Sequence, residues 1–145
     1  ELPLAKWIEL INVIPGSYRI FLLGAAGDKL IAEEIVQKSG NAQITNCCGA
    51  FSFLQTAALM KDAAMNYTND SAPLHFASAM NARVTAVFCS TVPQFGFGPL
   101  STESYILEEE SDLYCRPCGL HGYKSCPEKH FDCAKKIHMK TFLPG

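Results

Sequence analysis

The sequence predicts an α/β fold, a parallel sheet with helices on both faces in three α/β/α layers. Three observations carry that prediction. Short apolar runs alternate with segments whose apolar residues recur at helical spacing. The clearest run, Arg19-Ile-Phe-Leu-Leu-Gly24, shows no apolar–polar alternation, the pattern of a strand buried on both sides. Each strand-plus-helix repeat has the length of a βα unit, and such units build a doubly wound parallel sheet.

The elements follow in order. Leu4–Ile14 is a helix, with Trp7, Ile8, Ile11 and Ile14 spaced for one face and Pro15-Gly16 stopping it. Arg19–Gly24 is the first strand. After Gly24-Ala-Ala-Gly27, Asp28–Ser39 reads as a helix with Leu30, Ile31, Ile35 and Val36 inward and Gly40 as its cap. Gln43–Cys48 is the second strand, and Ser52–Lys61 is a helix using Leu54, Ala57 and Ala58. Ala63–Thr68 is the third strand, followed by the turn Asn69–Pro73. Leu74–Met80 is a helix with Pro73 at its first position, where a missing N–H costs nothing. Val84–Cys89 is the fourth strand. A Gly/Pro-rich loop, Thr91–Leu100, leads to a short fifth strand at Tyr105–Leu107. The whole is a Rossmann-like plan that opens on a helix where a strand is usual, as though the first residues continued from more chain.

Composition narrows the class. The chain has 145 residues, a net charge of −2, 48% hydrophobic and 18% charged residues. That is enough for one core and too apolar for disorder. No apolar stretch approaches the roughly 20 residues of a membrane span, and no basic-then-apolar leader opens the sequence. The near-neutral balance gives no case for non-specific nucleic-acid binding. The charge is unevenly spread: residues 1–114 carry six Lys/Arg against twelve Asp/Glu, and residues 115–145 carry six against two. Four of seven cysteines also lie in the last stretch. We therefore expect an acidic, Rossmann-like globular body over 1–114 and a basic, Cys-rich segment over 115–145 packed on or beside it.

In doubly wound sheets ligands sit at the carboxyl ends of the strands. The stretches Gly24–Asp28, Gly49–Ser52 and Asn69–His75 belong there. Asp70-Ser71-Ala72-Pro73 puts small residues at a helix start, where free N–H groups and the helix dipole favour an anion, with His75 one turn in. The alternative has Asp70 or Ser71 as a helix cap and His75 packed on the sheet. Asp28 suits a ribose diol or an ordinary N-cap, and Phe51 suits an adenine ring or the core. Cys115-Arg-Pro-Cys118, followed by Cys126 and Cys133 with His121 and His130 nearby, suits zinc, free thiols or disulfides. Cys47, Cys48 and Cys89 read as small strand residues of the core.

Taken together, these blocks resemble the donor half of bacterial heptosyltransferases, the ADP-heptose:lipopolysaccharide enzymes of glycosyltransferase family 9. The resemblance runs through Ile20-Phe-Leu-Leu-Gly-Ala-Ala-Gly-Asp28, Ala32-Glu-Glu-Ile35 and Cys48-Gly-Ala-Phe-Ser-Phe-Leu-Gln-Thr-Ala-Ala-Leu59. It continues through Thr68-Asn-Asp-Ser-Ala-Pro-Leu-His-Phe-Ala-Ser-Ala79, Val84–Phe88, Ser90–Pro93, and Cys115-Arg-Pro-Cys118 with Cys126-Pro127. The match covers about residues 4–135 in order.

The resemblance implies the C-terminal, donor-binding domain of a GT-B enzyme, two facing Rossmann-like domains with the active site between them. By position, Asp70, Ser71, Ala72 and His75 would hold the diphosphate and sugar, Asp28 the ribose, and Phe51 the adenine. The implied reaction is inverting transfer of heptose from ADP-heptose or a related nucleotide sugar to the lipopolysaccharide inner core. No cofactor is required, with zinc at the Cys-rich segment as an added option. The general base and acceptor site would lie in an N-terminal domain. The implied location is cytoplasmic, with contact to the inner membrane. Two positions depart from the family: Ala72 stands where glycine is usual, and Ala5, beside Lys6, stands where a lysine is usual. A second reading, of a different class, is a zinc- or thiol-stabilised interaction module without catalysis.

Overall fold

A computed structural model describes residues 1–144. Its elements are α1 (Leu4–Val13), β1 (Ile20–Leu22), α2 (Lys29–Lys38), β2 (Ile44–Asn46), α3 (Phe53–Lys61), β3 (Asn66–Asn69), α4 (Ala72–Ala79), β4 (Val84–Phe88), β5 (Ser104–Glu108) and a last turn of helix, α5 (Asp132–Lys135). Short 3₁₀ turns cover Ala26–Asp28 and Pro93–Phe95.

Every strand pair is parallel. β4 lies between β3 and β5, with Asn66 opposite Val84 and Val84 opposite Ser104. β1 pairs with β2 from Ile20–Ile44 to Leu22–Asn46. The sheet therefore comes as two hydrogen-bonded pieces, β1-β2 and β3-β4-β5, where the sequence predicts one run. β1 is only three residues long, and the joint is made by packing: Leu23 seats against the cluster of Met60, Leu74, Ala77 and Phe88.

The layers follow from the period-2 geometry of β4. Val84, Ala86 and Phe88 face α3 and α4 through Met60, Leu74 and Ala77. Val87 and Cys89 face the other side, with Leu10 of α1, Leu107 of β5, and Ala134, Ile137 and Met139 from the end of the chain. All five β4 residues are buried, as a central strand covered on both faces must be. Residues 131–142 thus enter the core: Ala134 and Ile137 are 0% exposed, and Phe131 and Phe142 pack against the same cluster.

Several details depart from the expected boundaries. The third strand starts at Asn66, because Ala63 is held in a turn by its N–H to the Met60 carbonyl at 3.3 Å. In α2 the buried residues are Ala32 and Ile35, while Leu30 and Ile31 are exposed. The helix covers a ladder of two three-residue strands, and that narrow surface needs one turn-spaced pair of contacts. Leu54 at the start of α3 is exposed for a similar reason: Met60 alone of that helix is buried in the core. Cys47 and Cys48 lie just past β2 and are half-buried rather than core; Cys89 is buried as expected.

Candidate functional site

The loops at the carboxyl ends of the strands are tied to one another in sequence order. The Gly24 carbonyl accepts from the Gly49 N–H at 2.9 Å, joining the β1 and β2 loops. Gly49 has φ +74°, and a Cβ there would lie 2.9 Å from the Ala26 Cα. Only glycine permits that backbone and that approach. Gly24 is similarly confined, by Asp28 Oδ2 at 2.8 Å and the Cys48 sulfur at 3.1 Å. The Phe53 and Phe76 rings, 5.4 Å apart, bring the start of α3 to the first turns of α4. Finally, the Thr91 hydroxyl after β4 donates to Asp70 Oδ2 after β3 at 2.7 Å.

The start of α4 is the best-formed part of the site. Ser71 is its N-cap in extended backbone, and its side chain makes no cap hydrogen bond. Its hydroxyl donates instead to the Asn69 carbonyl at 3.4 Å. Asp70 does not cap either, since its carboxylate takes the Thr91 hydroxyl. The capping alternative is therefore not what the structure holds: no side chain occupies the positive end of α4. Pro73 is the second helical residue rather than the first, still inside the turn where its missing N–H is harmless. His75 is exposed, as are Ser71 and Ala72. Spacings of three and four residues put these three on one helical face, so His75 does not pack on the sheet.

Asp28 is exposed, and its Oδ2 accepts the Ala25 N–H at 2.8 Å, closing the turn after β1. It sits at the N-cap position of α2 without capping that helix. The Asp28 carboxylate and burial together hold the Cys48 thiol above its ordinary pKa, burial being the larger cause. Phe51 is 43% exposed, so the core alternative fails for it. Lys6 is committed elsewhere: its ammonium donates to Glu9 at 2.7 Å and to the Ile137 carbonyl at 2.9 Å.

The four cysteines of the last segment, Cys115, Cys118, Cys126 and Cys133, line one shallow cavity with His130 and Glu128. All are free thiols. The Cys118 sulfur is turned onto the Cys115 carbonyl at 3.1 Å, and Cys115 lies 4.0 Å from His130 Nε2. Burial first, and the neighbouring sulfurs second, raise the pKa of Cys118 and Cys133. Among the described residues no three His, Cys, Asp or Glu side chains are placed to hold a metal ion. The zinc expectation therefore has no support here.

Thr91, Arg116 and Asn69 were not singled out from the sequence. Asn69 Oδ1 accepts the Leu2 N–H at 2.9 Å, pinning the start of the chain to the end of β3. Thr91 lies three residues past the end of the fourth strand, and that position in the loop at a strand's carboxyl end is the available signal.

Comparison with known proteins agrees with this fold. The model of glycosyltransferase family 9 (heptosyltransferase) matches residues 2–129. The chain is 29% identical over 131 residues to lipooligosaccharide heptosyltransferase 2 of Campylobacter jejuni subsp. jejuni serotype O:2, covering 88% of this chain and 39% of that protein. Its serotype O:6 counterpart is 28% identical, with 88% and 40% covered. The structure of E. coli ADP-heptose LPS heptosyltransferase II matches with a TM-score of 0.69 and 25% identity, over 77% of this chain and 35% of that one. A glycosyl transferase family 9 structure from Veillonella parvula shares the fold, with a TM-score of 0.64, 22% identity, and 74% and 30% covered. The chain spans about two fifths of the length of the curated relatives it matches. A family model that accounts for nearly the whole sequence, and a fold shared with solved members, lead to one conclusion: this chain belongs to glycosyltransferase family 9, the heptosyltransferases.

Proposed function

We propose that this chain binds the nucleotide-sugar donor, ADP-heptose or a close relative, for inverting transfer to a lipopolysaccharide inner-core sugar. The observation that carries the reading is the uncapped N-terminus of α4, with Asp70, Ser71, Ala72 and His75 gathered at it. A diphosphate there meets the Ala72 N–H and the positive end of the helix dipole, since Pro73 has no N–H and the Leu74 N–H donates to the Ser71 carbonyl at 3.0 Å. The same groups stabilise the negative charge that grows on the departing ADP, which is where electrostatic catalysis acts. His75 donates to a phosphate oxygen, Asp70 accepts from sugar hydroxyls, Asp28 faces the ribose, and Phe51 lies along the adenine. The general base and the acceptor site belong to residues beyond this chain, and no metal ion enters the reaction.

The reading carries a location with it. The donor domain works in the cytoplasm, and the basic segment faces the anionic inner membrane. Lys124, Lys129, Lys135, Lys136 and Lys140 are all exposed, which supports that contact. Among the described residues no helix is long and apolar enough to cross a membrane.

Calorimetric titration with ADP tests the proposal. Saturable binding is expected, weakened about tenfold or more by His75→Ala, the loss of one charge-assisted hydrogen bond. Ala72→Asp, which sets a carboxylate against the diphosphate, should abolish it. Binding that neither substitution alters would place the nucleotide elsewhere and defeat the reading.

A further inference from the structure

Asp70 is oriented from outside its own helix. Its carboxylate takes the hydroxyl of Thr91, a residue only 8% exposed, at 2.7 Å. The Thr91 carbonyl in turn accepts from Arg116 Nη2 at 2.9 Å. The same guanidinium donates to Glu108 Oε2 at 2.5 Å and, through Nη1, to the Glu109 carbonyl at 3.3 Å. Its side chain is 10% exposed. Two further contacts hold the segment in place: the Cys118 N–H donates to the Ser90 carbonyl at 2.8 Å, and Gly122 lies so close that a Cβ would stand 2.6 Å from Ser90 Oγ. The Cys-rich segment is thereby fastened to Ser90-Thr91, the second and third residues beyond the end of β4.

We propose that Arg116 is a positioning residue for the donor site, acting through Thr91 to aim the Asp70 carboxylate at the ligand. The inference rests on the reading of α4 as the donor site. The two terminal nitrogens make all of the guanidinium's hydrogen bonds, Nε being buried without a partner, and the planar fork sets the distances among the groups they bind. Here those groups are the loop after β4 and the end of β5, so the fork fixes where Thr91 stands. Thr91 is β-branched and stiff about χ1, so a fixed backbone gives a fixed hydroxyl direction. With Oδ2 engaged, Asp70 turns Oδ1 toward a hydroxyl-bearing ligand, the sugar of a nucleotide sugar.

Three-bond couplings in the nucleotide-free 145-residue chain test this by reading the Asp70 χ1 rotamer. One rotamer is expected for the unaltered chain and for Thr91→Ser, which keeps the hydroxyl. Rotamer averaging is expected for Thr91→Val and for Arg116→Lys, which keeps the charge beside Glu108 but loses the fork. An unchanged Asp70 in both variants overturns the role of Arg116. The same samples are then titrated with ADP and ADP-glucose. Both variants should lose about tenfold in ADP-glucose affinity and less than about threefold in ADP affinity, since the hydrogen bond concerned is to the sugar. Equal losses for the two probes overturn the assignment of Asp70 to the sugar. If the unaltered chain binds neither probe, the donor-site reading fails, while the rotamers still decide the positioning role.

Discussion

Ile137 tests whether residues 131–142 belong to the fold. Its side chain is 0% exposed and sits in one cluster with Leu10, Val87, Leu107 and Met139, drawn from four separate stretches of chain. Ile137→Ala removes roughly three methylene equivalents at about 0.8 kcal/mol each, so transfer alone costs about 2.4 kcal/mol. The void adds to that, because α1 and β4 are held by their own hydrogen bonds and collapse only in part; about 3–4 kcal/mol in total is expected. Urea unfolding followed by circular dichroism measures it, as a lower midpoint with an unchanged slope. Leu120→Ala, at a position 52% exposed, should cost less than about 0.5 kcal/mol. A cost under about 1 kcal/mol for Ile137→Ala, or a separate early transition that the substitution abolishes, would show that the segment only rests on the domain. In either case the core assignment of residues 131–142 is refuted.

The remaining predictions concern backbone and charge. Gly49→Ala should cost about 2 kcal/mol or more in thermal or urea unfolding, from the positive φ and the 2.9 Å approach to Ala26. Gly27→Ala, with nothing within 4 Å, should stay within about 0.5 kcal/mol, and equal effects would refute the close-approach argument. Burial raises the Cys89 thiol to about 11 from an ordinary value near 9, so the folded chain holds this proton longer than the unfolded one. Stability should accordingly be intact below pH 9 and fall between about pH 9 and 11, by an amount on the order of 2 kcal/mol from this group. Cys89→Ala should flatten that part of the urea-midpoint profile, and an unaltered slope counts against it. Lys6→Met should leave ADP affinity unchanged while lowering the midpoint, because Lys6 ties α1 to Ile137 rather than serving the site; a drop in affinity would reverse that assignment.

Much of the candidate site was legible because its signals are local. The small residues and proline at Asp70–Pro73, placed just after a strand, mark a helix start at the carboxyl edge of a parallel sheet, and that is where they stand. The exposure of His75 and Phe51 was not legible. Periodicity says which residues share a face but not which face the protein covers, and the same limit left Leu30 and Ile31 on the wrong side of α2. Thr91 was visible only as the start of a loop, since its partners lie 21 and 25 residues away along the chain.

The sequence by itself determined the α/β class, the order of strands and helices, the parallel pairing and the stretches that converge at the strand ends. Each follows from short-range spacing and from the handedness of βα units. Only the tertiary structure decided that the sheet divides into β1-β2 and β3-β4-β5, that residues 131–142 complete the core beside α1, and that Arg116 reaches Thr91 and through it Asp70. Those outcomes depend on which distant surfaces remain to be covered and which buried donors remain to be satisfied, and no local pattern encodes either.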